Sequence, residues 1–404
     1  MLAAGIVVEY NPLHNGHLYH IQQTREKTGA DCLIAVMSGN FLQRGEPALV
    51  DKFTRTKMAL AAGVDLVVEL PYAFSTQHAE IFARGAVEIL SALKCTYLVF
   101  GSEDGDISRF VNTANLLAQY EEEISALIPH LIKEGVSYPK AYERAIRSVC
   151  QEPVPLDFTR PNNMLGLNYV KAIMNVKSPM VPFTIKRAGT GYHDPNLPDH
   201  EIASATAIRK KLLEEDASMD AIKPYIPAST FSELQRFQHE FKTYGNWEIL
   251  WPYLKYELLV KDLDELRQIY EMEEGLEGRM KMAAKEATSF LKFMERIKTK
   301  RYTWTRLQRA SLHVLTNTKK TSMLKRGQKA EYIRLLGMNR TGRAYLNLQK
   351  KDLTLPVISR LTRDHAELVE LDIKSSHVYA LAFGSAKGQN LIEAEWRQPP
   401  IIYD

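Results

Sequence analysis

The residues best placed to do chemistry lie near the start of the chain, in His14-Asn15-Gly16-His17. An apolar run over 4–8 ends at a turn signal, Asn11-Pro12, and a helical pattern follows over 18–27, so the sequence predicts a strand, a loop and a helix N-terminus. A helix N-terminus offers unpaired backbone N–H groups and a positive dipole end, which suit a phosphate. Gly16 would let a phosphate approach the backbone, and the two imidazoles could donate hydrogen bonds to its oxygens as they gain charge. The motif therefore predicts phosphate chemistry at the end of the first strand.

The elements that must position this motif alternate along the first hundred residues. The sequence predicts strands over 4–8, 32–37, 66–69 and 96–100, with helices over 18–27, 53–62 and 80–93. Single helices between strands favour a parallel sheet with right-handed crossovers, and such sheets bind ligands beyond the carboxyl ends of their strands. The loops at 38–44 and 101–106 should then share one crevice with the motif. The 38–45 loop fits a plain connection and a substrate loop equally well, with Arg44 or Asn40 near an anionic group.

Two stretches resemble the signatures of the nucleotidylyltransferase superfamily. His14-Asn15-Gly16-His17 resembles its HxGH motif, and residues 202–209 resemble an altered ISSTxxR motif in the expected order along the chain. Ala203 and Ala205 stand in and beside the place of the usual serine pair, while Arg209 is kept. The resemblance implies a Rossmann-like parallel-sheet domain that activates acids or phosphates with ATP.

The wider pattern resembles the bacterial tRNA(Met) cytidine acetate ligases within that superfamily, along essentially the whole chain. The stretches that carry this resemblance are Glu9-Tyr10-Asn11-Pro12, Gly39-Asn40-Phe41, Gly101-Ser102-Glu103, Asn162-Asn163-Met164-Leu165-Gly166 and the basic helical C-terminal half. The resemblance implies that acetate is activated as acetyl-adenylate and transferred to a tRNA cytidine, with Mg²⁺ brought by the nucleotide and no dedicated protein metal site.

Motif and resemblance together imply a set of site residues. The catalytic candidates are His14, His17 and Arg209. The candidates for ATP binding are Val7, Val8, Glu9, Tyr10, Asn11, Pro12, His14, Gly16, His17, His20, Gly101, Asn162, Arg187, Ala188, Ser204 and Thr206. For Asn162 a helix N-cap and a nucleotide contact are equally open, and the small hydroxyls of Ser204 and Thr206 fit helix caps as well as a triphosphate site.

Length and composition set outer bounds on the fold. The chain has 404 residues, of which 45% are hydrophobic and 25% charged, as is ordinary for two or three soluble domains. No apolar run approaches the roughly 18 residues of a membrane span, and the N-terminus lacks the pattern of a signal peptide. The three cysteines lie in or beside apolar segments, which favours reduced thiols and a cytoplasmic protein.

The charge distribution divides the chain. Residues 1–225 carry a net charge of −4 and residues 226–404 a net charge of +8. Within 279–351, 20 Lys and Arg stand against 3 Asp and Glu, and a block this one-sided favours a polyanionic partner. We therefore expect a nucleotidylyltransferase-like domain over 1–225 and a mainly helical, tRNA-binding region over 226–404. Lys298, Lys300 and Arg301 are the tRNA-binding candidates, and Tyr302 and Trp304 beside them fit base stacking or a buried anchor.

Other functions remain compatible with parts of this pattern. A nucleotidylyltransferase acting on a small phosphorylated substrate would explain the motif but not the basic half. An RNA-binding protein with an inactive nucleotide fold would explain the basic half but not the intact motif. A metal site of His14, His17 and His20 has possible spacing but no acidic or cysteine ligand nearby.

Overall fold

The computed structural model describes residues 1–136, 138–150, 154–187, 202–213 and 218–404, except the side chains of residues 138 and 139. One mostly parallel sheet organises this part of the chain. Its strands are β1 Ala3–Val8, β2 Cys32–Ser38, β3 Leu66–Leu70, β4 Tyr97–Ser102, β5 Val181–Lys186, β6 Ile333–Asn339, β7 Val357–Ile358 and β8 Ile401–Tyr403.

The order of the strands sets the position of the ligand crevice. The sheet runs β5-β4-β1-β2-β3-β6-β7, and β8 also pairs with β6. Strands β1 to β5 are parallel, whereas β6 pairs antiparallel with β3. The chain moves from β1 to β2 on one side and returns to place β4 on the other. This reversal opens a crevice at the carboxyl ends of β1 and β4, where open α/β sheets bind ligands.

Helices cover both faces of the sheet and build most of the second half. They are α1 Asn15–Thr28, α2 Lys52–Ala61, α3 Tyr72–Ser75, α4 Ala79–Ala92, α5 Ile107–Gln119, α6 Glu121–Lys133, α7 Tyr138–Val149, α8 Pro161–Asn175, α9 Ala205–Leu213, α10 Ala228–Phe241, α11 Trp247–Val260, α12 Leu263–Arg267, α13 Leu276–Glu286, α14 Phe290–Ile297, α15 Trp304–Leu315, α16 Lys320–Arg326, α17 Arg340–Gln349, α18 Glu370–Ala380 and α19 Ser385–Arg397. Short 3₁₀ turns occupy Met219–Tyr225, Arg363–His365 and Leu381–Phe383. No helix in the described ranges is long and apolar enough to cross a membrane.

Alternate residues of the strands enter two large cores. Ile6, Ala35 and Val67 face a core that extends into the helices of the second half, as far as Phe237 and Tyr379. Residues on the opposite face enter a second core with α4, α5 and α8. The first core contains residues of both the sheet and the helical half, so the two pack directly on each other. Apolar burial of this kind is the main driving force for folding.

The predicted fold class is confirmed: an α/β protein with a Rossmann-like parallel sheet followed by mostly helical, basic sequence. The domain boundary at residue 225 stays a prediction, although the sheet takes β6, β7 and β8 from the second half.

Several local predictions were wrong. The sequence pattern over 337–343 predicts a basic turn, but in the structure β6 ends at Asn339 and α17 begins at Arg340. The pattern over 280–297 predicts one helix with Leu291 in its buried apolar stripe. The structure has two helices, α13 and α14, and Leu291 is 51% exposed.

Candidate functional site

A cleft of about 520 Å³ opens at the carboxyl ends of β1 and β4. It collects nearly all the residues predicted from the two signatures. Those lining it are Val7, Val8, Glu9, Tyr10, Asn11, His14, Gly16, His17, His20, Gly101, Asn162, Arg187, Ser204, Thr206 and Arg209. Pro12 is the exception among the described candidates, because it is buried and does not line the cleft. Ala188 lies outside the described residues, and so do His193 and His200, for which the polar sequence around them predicts exposure to solvent.

The two motif histidines are fixed by the start of α1. His14 is the N-cap, and its Nδ1 accepts a hydrogen bond from the Gly16 backbone N–H at 3.1 Å. The His17 Nδ1 accepts from the His14 backbone N–H at 3.3 Å. Their rings lie 3.8 Å apart between centroids. Because Nδ1 is the acceptor in both rings, the proton of each neutral imidazole is on Nε2, which makes Nε2 a hydrogen-bond donor.

Gly16 is required for close packing of this turn. A Cβ at this position would lie 2.9 Å from His14 Cε1 and 3.4 Å from Ile202 Cγ2. A side chain would therefore displace the His14 ring or the segment that precedes α9.

The cleft histidines are uncharged at neutral pH. Burial, and next the cation of Arg187, lower the pKa of His14 to about 3 and that of His20 to about 4. Burial and His14 lower the pKa of His17 as well. His14 is 4% exposed, whereas His17 and His20 are partly exposed. A bound triphosphate would oppose these shifts by supplying negative charge.

The buried state of His14 predicts a dependence of stability on pH. Its folded-state pKa lies below the ordinary 6.5, so as the pH falls from about 6.5 the unfolded chain takes up a proton that the folded chain refuses. Stability of the nucleotide-free protein should fall by up to about 1.4 kcal/mol per pH unit from this group. His14→Asn keeps a good N-cap and should flatten the slope, measured by urea unfolding between pH 7 and 4.5. The surface substitution His239→Asn is the control; equal slopes for wild type and His14→Asn would contradict the assignment.

Arg55 holds the loop that leaves β1, and no sequence motif indicated it. This fully buried side chain donates to the carbonyl oxygens of Glu9 and Ser38 at 2.8 and 2.9 Å, and also to that of Gly39. It therefore binds the loop after β1 to the loop after β2. A buried guanidinium needs such acceptors, since an unpaired charge in the interior is costly.

The second signature meets the first through Arg209. Its guanidinium donates to the Asn11 carbonyl oxygen at 2.9 Å and contacts the Glu46 carboxylate at 3.2 Å. Ser204 caps α9, as its Oγ accepts from the Ala207 backbone N–H at 3.0 Å. Glu46 was not among the predicted site residues, because its role depends on a contact distant along the chain.

The β4 side of the cleft joins Gly101, Asn162 and Arg187. Asn162 does not cap α8, whose N-cap is Arg160; instead its Nδ2 donates to Glu103 Oε1 at 2.7 Å. Its Oδ1 accepts from Arg187 at 3.4 Å. The capping interpretation was wrong, and the nucleotide contact stays a prediction.

Three residues of α15, Trp304, Thr305 and Gln308, line the cleft from the helical half. Lys298, Lys300 and Arg301, in contrast, are exposed outside it. Arg301 pairs with Glu274 at 2.7 Å, and Lys298 Nζ donates to the carbonyl oxygens of Thr299 and Tyr302. Part of the excess charge in 279–351 is therefore neutralised within the chain. In the described ranges, no group of three His, Cys, Asp or Glu side chains is arranged to hold a metal ion.

The chain is similar in sequence to known proteins over nearly its whole length. The profile of the HIGH Nucleotidyl Transferase family matches residues 1–393. The tRNA(Met) cytidine acetate ligase of Anoxybacillus flavithermus is 48% identical over 405 residues, covering 99% of this chain and 100% of the relative. That of Bacillus subtilis is 46% identical over 408 residues, covering 100% and 98%.

Two solved structures also match the chain over its whole length. The apo crystal structure of Thermotoga maritima TmcAL matches with a TM-score of 0.92 and 34% identity, covering 100% of this chain and 99% of that one. The same protein bound with alpha-thio ATP matches with a TM-score of 0.90. The chain therefore belongs to the HIGH nucleotidyl transferase family and, within it, to the family of the tRNA(Met) cytidine acetate ligases.

Proposed function

We propose that the protein is an ATP-dependent ligase that activates acetate as acetyl-adenylate and transfers the acetyl group to N4 of the wobble cytidine of elongator tRNA(Met). The observation that carries the proposal is a single cleft in which Arg209 and the neutral donors His14 and His17 converge at the end of β1. The full-length similarity to proteins named tRNA(Met) cytidine acetate ligase supplies the substrates.

In the first half-reaction an acetate oxygen attacks the α-phosphorus of ATP. An O–P bond forms between acetate and the α-phosphorus, the bond from the α-phosphorus to the bridging oxygen of the β-phosphate breaks, and pyrophosphate leaves with that electron pair. No proton has to move, because acetate is already ionised at neutral pH. The step needs positioning and stabilisation of charge on the phosphate oxygens, which the Nε2–H groups of His14 and His17 and the Arg209 cation can provide.

Buried polar atoms without partners support a polar ligand in this cleft. Within the described residues, the Tyr10 hydroxyl, Asn11 Nδ2 and His20 Nε2 are buried and make no hydrogen bond. All three belong to residues that line the cleft. Since buried polar groups are nearly always paired, a ligand that hydrogen-bonds to them would remove this cost. Mg²⁺ would accompany the triphosphate.

In the second half-reaction the cytidine N4 attacks the acetyl carbonyl carbon. The C–O bond of the mixed anhydride breaks, AMP leaves with the electron pair, and the amine gives up one proton to solvent or to a cleft carboxylate such as Glu46. The cytidine must leave its stack to reach this cleft, as single-stranded loop bases can. Because ATP and tRNA meet there, we infer a cytoplasmic protein.

The tRNA anticodon arm would be held through phosphate contacts of the basic helices. Reversing the charge of Lys298, Lys300 and Arg301 should weaken tRNA binding and spare adenylate formation. Lys300→Glu is the cleanest single change, because within the described residues Lys300 has no ion-pair partner to lose. It should lower the slope of log affinity against log salt by about 1. Lys133→Glu, on an exposed turn of α6, is the matched control; unchanged tRNA affinity of the triple variant at physiological salt would remove these residues from the interface.

The direct test of the activation step is ATP–pyrophosphate exchange. We expect exchange that depends on acetate and does not need tRNA. Exchange that requires a phosphorylated small molecule instead of acetate would favour the alternative, nucleotidyl transfer to a phosphate. Absence of exchange with any acid would favour an RNA-binding protein.

A further inference from the structure

Trp304 differs from the other tryptophans of the chain. Trp247 and Trp251 are 7% and 5% exposed, and Trp396 packs against a core. Trp304 is 37% exposed and lines the cleft. Within the described ranges neither an aromatic ring nor a cation stacks on its indole, although Arg306 stacks on the neighbouring Tyr302 at 5.0 Å. A large aromatic surface in a polar cleft is therefore left open.

The backbone under Trp304 is fixed before any ligand binds. Trp304 is the first residue of α15, and Thr303 caps this helix, its Oγ1 accepting from the Arg306 backbone N–H at 3.3 Å. Leu307 and Ala310 of the same helix are fully buried. The indole is thus carried by a rigid element, as an aromatic platform requires.

Helix α15, which carries Trp304, lies on the β2 side of the cleft. A Cβ on Gly45, in the loop after β2, would come within 2.8 Å of backbone atoms of Gln308 and Arg309, so this loop packs directly on α15. Trp247 Nε1 also donates to the Gly45 carbonyl oxygen at 3.1 Å. Strand β4, with Gly101, is on the opposite side of β1. The candidate phosphate donors His14, His17 and Arg209 lie at the end of β1, between these two sides of the cleft.

We infer that Trp304 is the stacking surface on which the acceptor cytosine of the RNA is held for acetyl transfer. The inference rests on the proposed function. A base arriving from the β2 side would reach an anhydride held at the end of β1, and the β4 side of the cleft would remain for the nucleoside of AMP. The cationic segment Lys298, Lys300 and Arg301 immediately precedes Trp304, so the phosphate backbone and the base would be held by neighbouring residues. Stacking requires only a π face, while the choice of cytosine would come from polar groups around it.

The test compares three variants in two assays. Trp304→Ala should lower kcat/KM for acetyl transfer to tRNA on the order of ten- to a hundredfold, the usual effect of losing one base–aromatic stack. Trp304→Phe, which keeps a ring, should recover most of it. Tyr256→Ala removes an aromatic residue that is 63% exposed in the same half but outside the cleft, and it should have no effect. Acetate-dependent ATP–pyrophosphate exchange should be unchanged in all three.

The outcomes separate the inference from the proposed function. Absence of acetate-dependent exchange in the wild type would refute the proposed function. Normal exchange with unchanged transfer by Trp304→Ala would overturn only the role of Trp304. A raised KM for ATP in exchange would also overturn it, because the indole would then be holding adenine. Equal losses in Trp304→Phe and Trp304→Ala would show that the ring is not acting as a stacking surface.

Discussion

His17→Ala is expected to abolish acetate-dependent ATP–pyrophosphate exchange and leave the fold intact. His17 lines the cleft, and its Nδ1 accepts from the His14 backbone N–H, so its Nε2–H is available to a phosphate oxygen. Burial lowers its pKa in the nucleotide-free protein, so His17 is a neutral donor before the triphosphate binds. Removing one preorganised donor to a developing charge lowers rates by about 10²–10³.

Two further variants separate hydrogen bonding from other roles of His17. His17→Gln retains an amide N–H near the place of Nε2 and should recover part of the exchange rate. His130→Ala, on α6 outside the cleft, is the control and should behave as wild type. Thermal unfolding of all variants should agree within a few degrees. Full exchange by His17→Ala would refute the assigned role.

Lys52→Met is expected to lower the free energy of unfolding more than any other substitution proposed for this protein. The Lys52 ammonium is fully buried and lies 2.8 Å from both the Glu69 and the Glu395 carboxylates. Burial raises the pKa of Glu69 to about 7, while Lys52 holds the pKa of Glu395 below its ordinary value. Removing the shared cation leaves two carboxylates facing each other in the interior, at a cost of about 3–5 kcal/mol. The midpoint of urea unfolding should fall accordingly.

The ion cluster of Lys52, Glu69 and Glu395 joins α19 to the sheet, so removing the Lys52 cation should destabilise α19 near the C-terminus. Hydrogen exchange of the α19 backbone should become faster in Lys52→Met. Adding Glu395→Gln should restore part of the stability, because one buried charge is then removed. Lys292→Met, which breaks an exposed pair with Glu295, is the matched control at about 0–1 kcal/mol. A midpoint for Lys52→Met equal to this control would contradict the buried-charge account.

Local pattern was enough to predict the first four strands and most of the cleft. Buried parallel strands are short apolar runs between helices, and the HxGH and 202–209 signatures are contiguous in sequence. Strand β6 was missed because its Gly337 looked like a turn residue. In the structure a glycine is needed at position 337 for close packing, because a Cβ there would lie 2.7 Å from Thr56 Cγ2 and 3.0 Å from the Ile401 carbonyl oxygen. Close packing against two distant segments leaves no local signal.

The break between α13 and α14 was missed for a similar reason. Ser289 caps α14, but the backbone N–H groups of Phe290 and Leu291 are also bonded by the Glu248 carboxylate at 2.9 and 3.0 Å. That partner lies 42 residues away from Phe290 in the sequence. Arg55 and Glu46 could not be predicted as site residues for the same reason. Arg55 contacts the loop after β1 and Glu46 contacts Arg209, and both contacts exist only in the folded chain.

Nucleoside analysis of tRNA incubated with the protein, ATP and isotopically labelled acetate tests the proposed reaction most directly. We expect the label in N4-acetylcytidine at the wobble position of elongator tRNA(Met), with AMP and pyrophosphate formed in equal amounts. Label that fails to enter RNA while ATP is cleaved, or RNA that is acetylated without ATP, would contradict it.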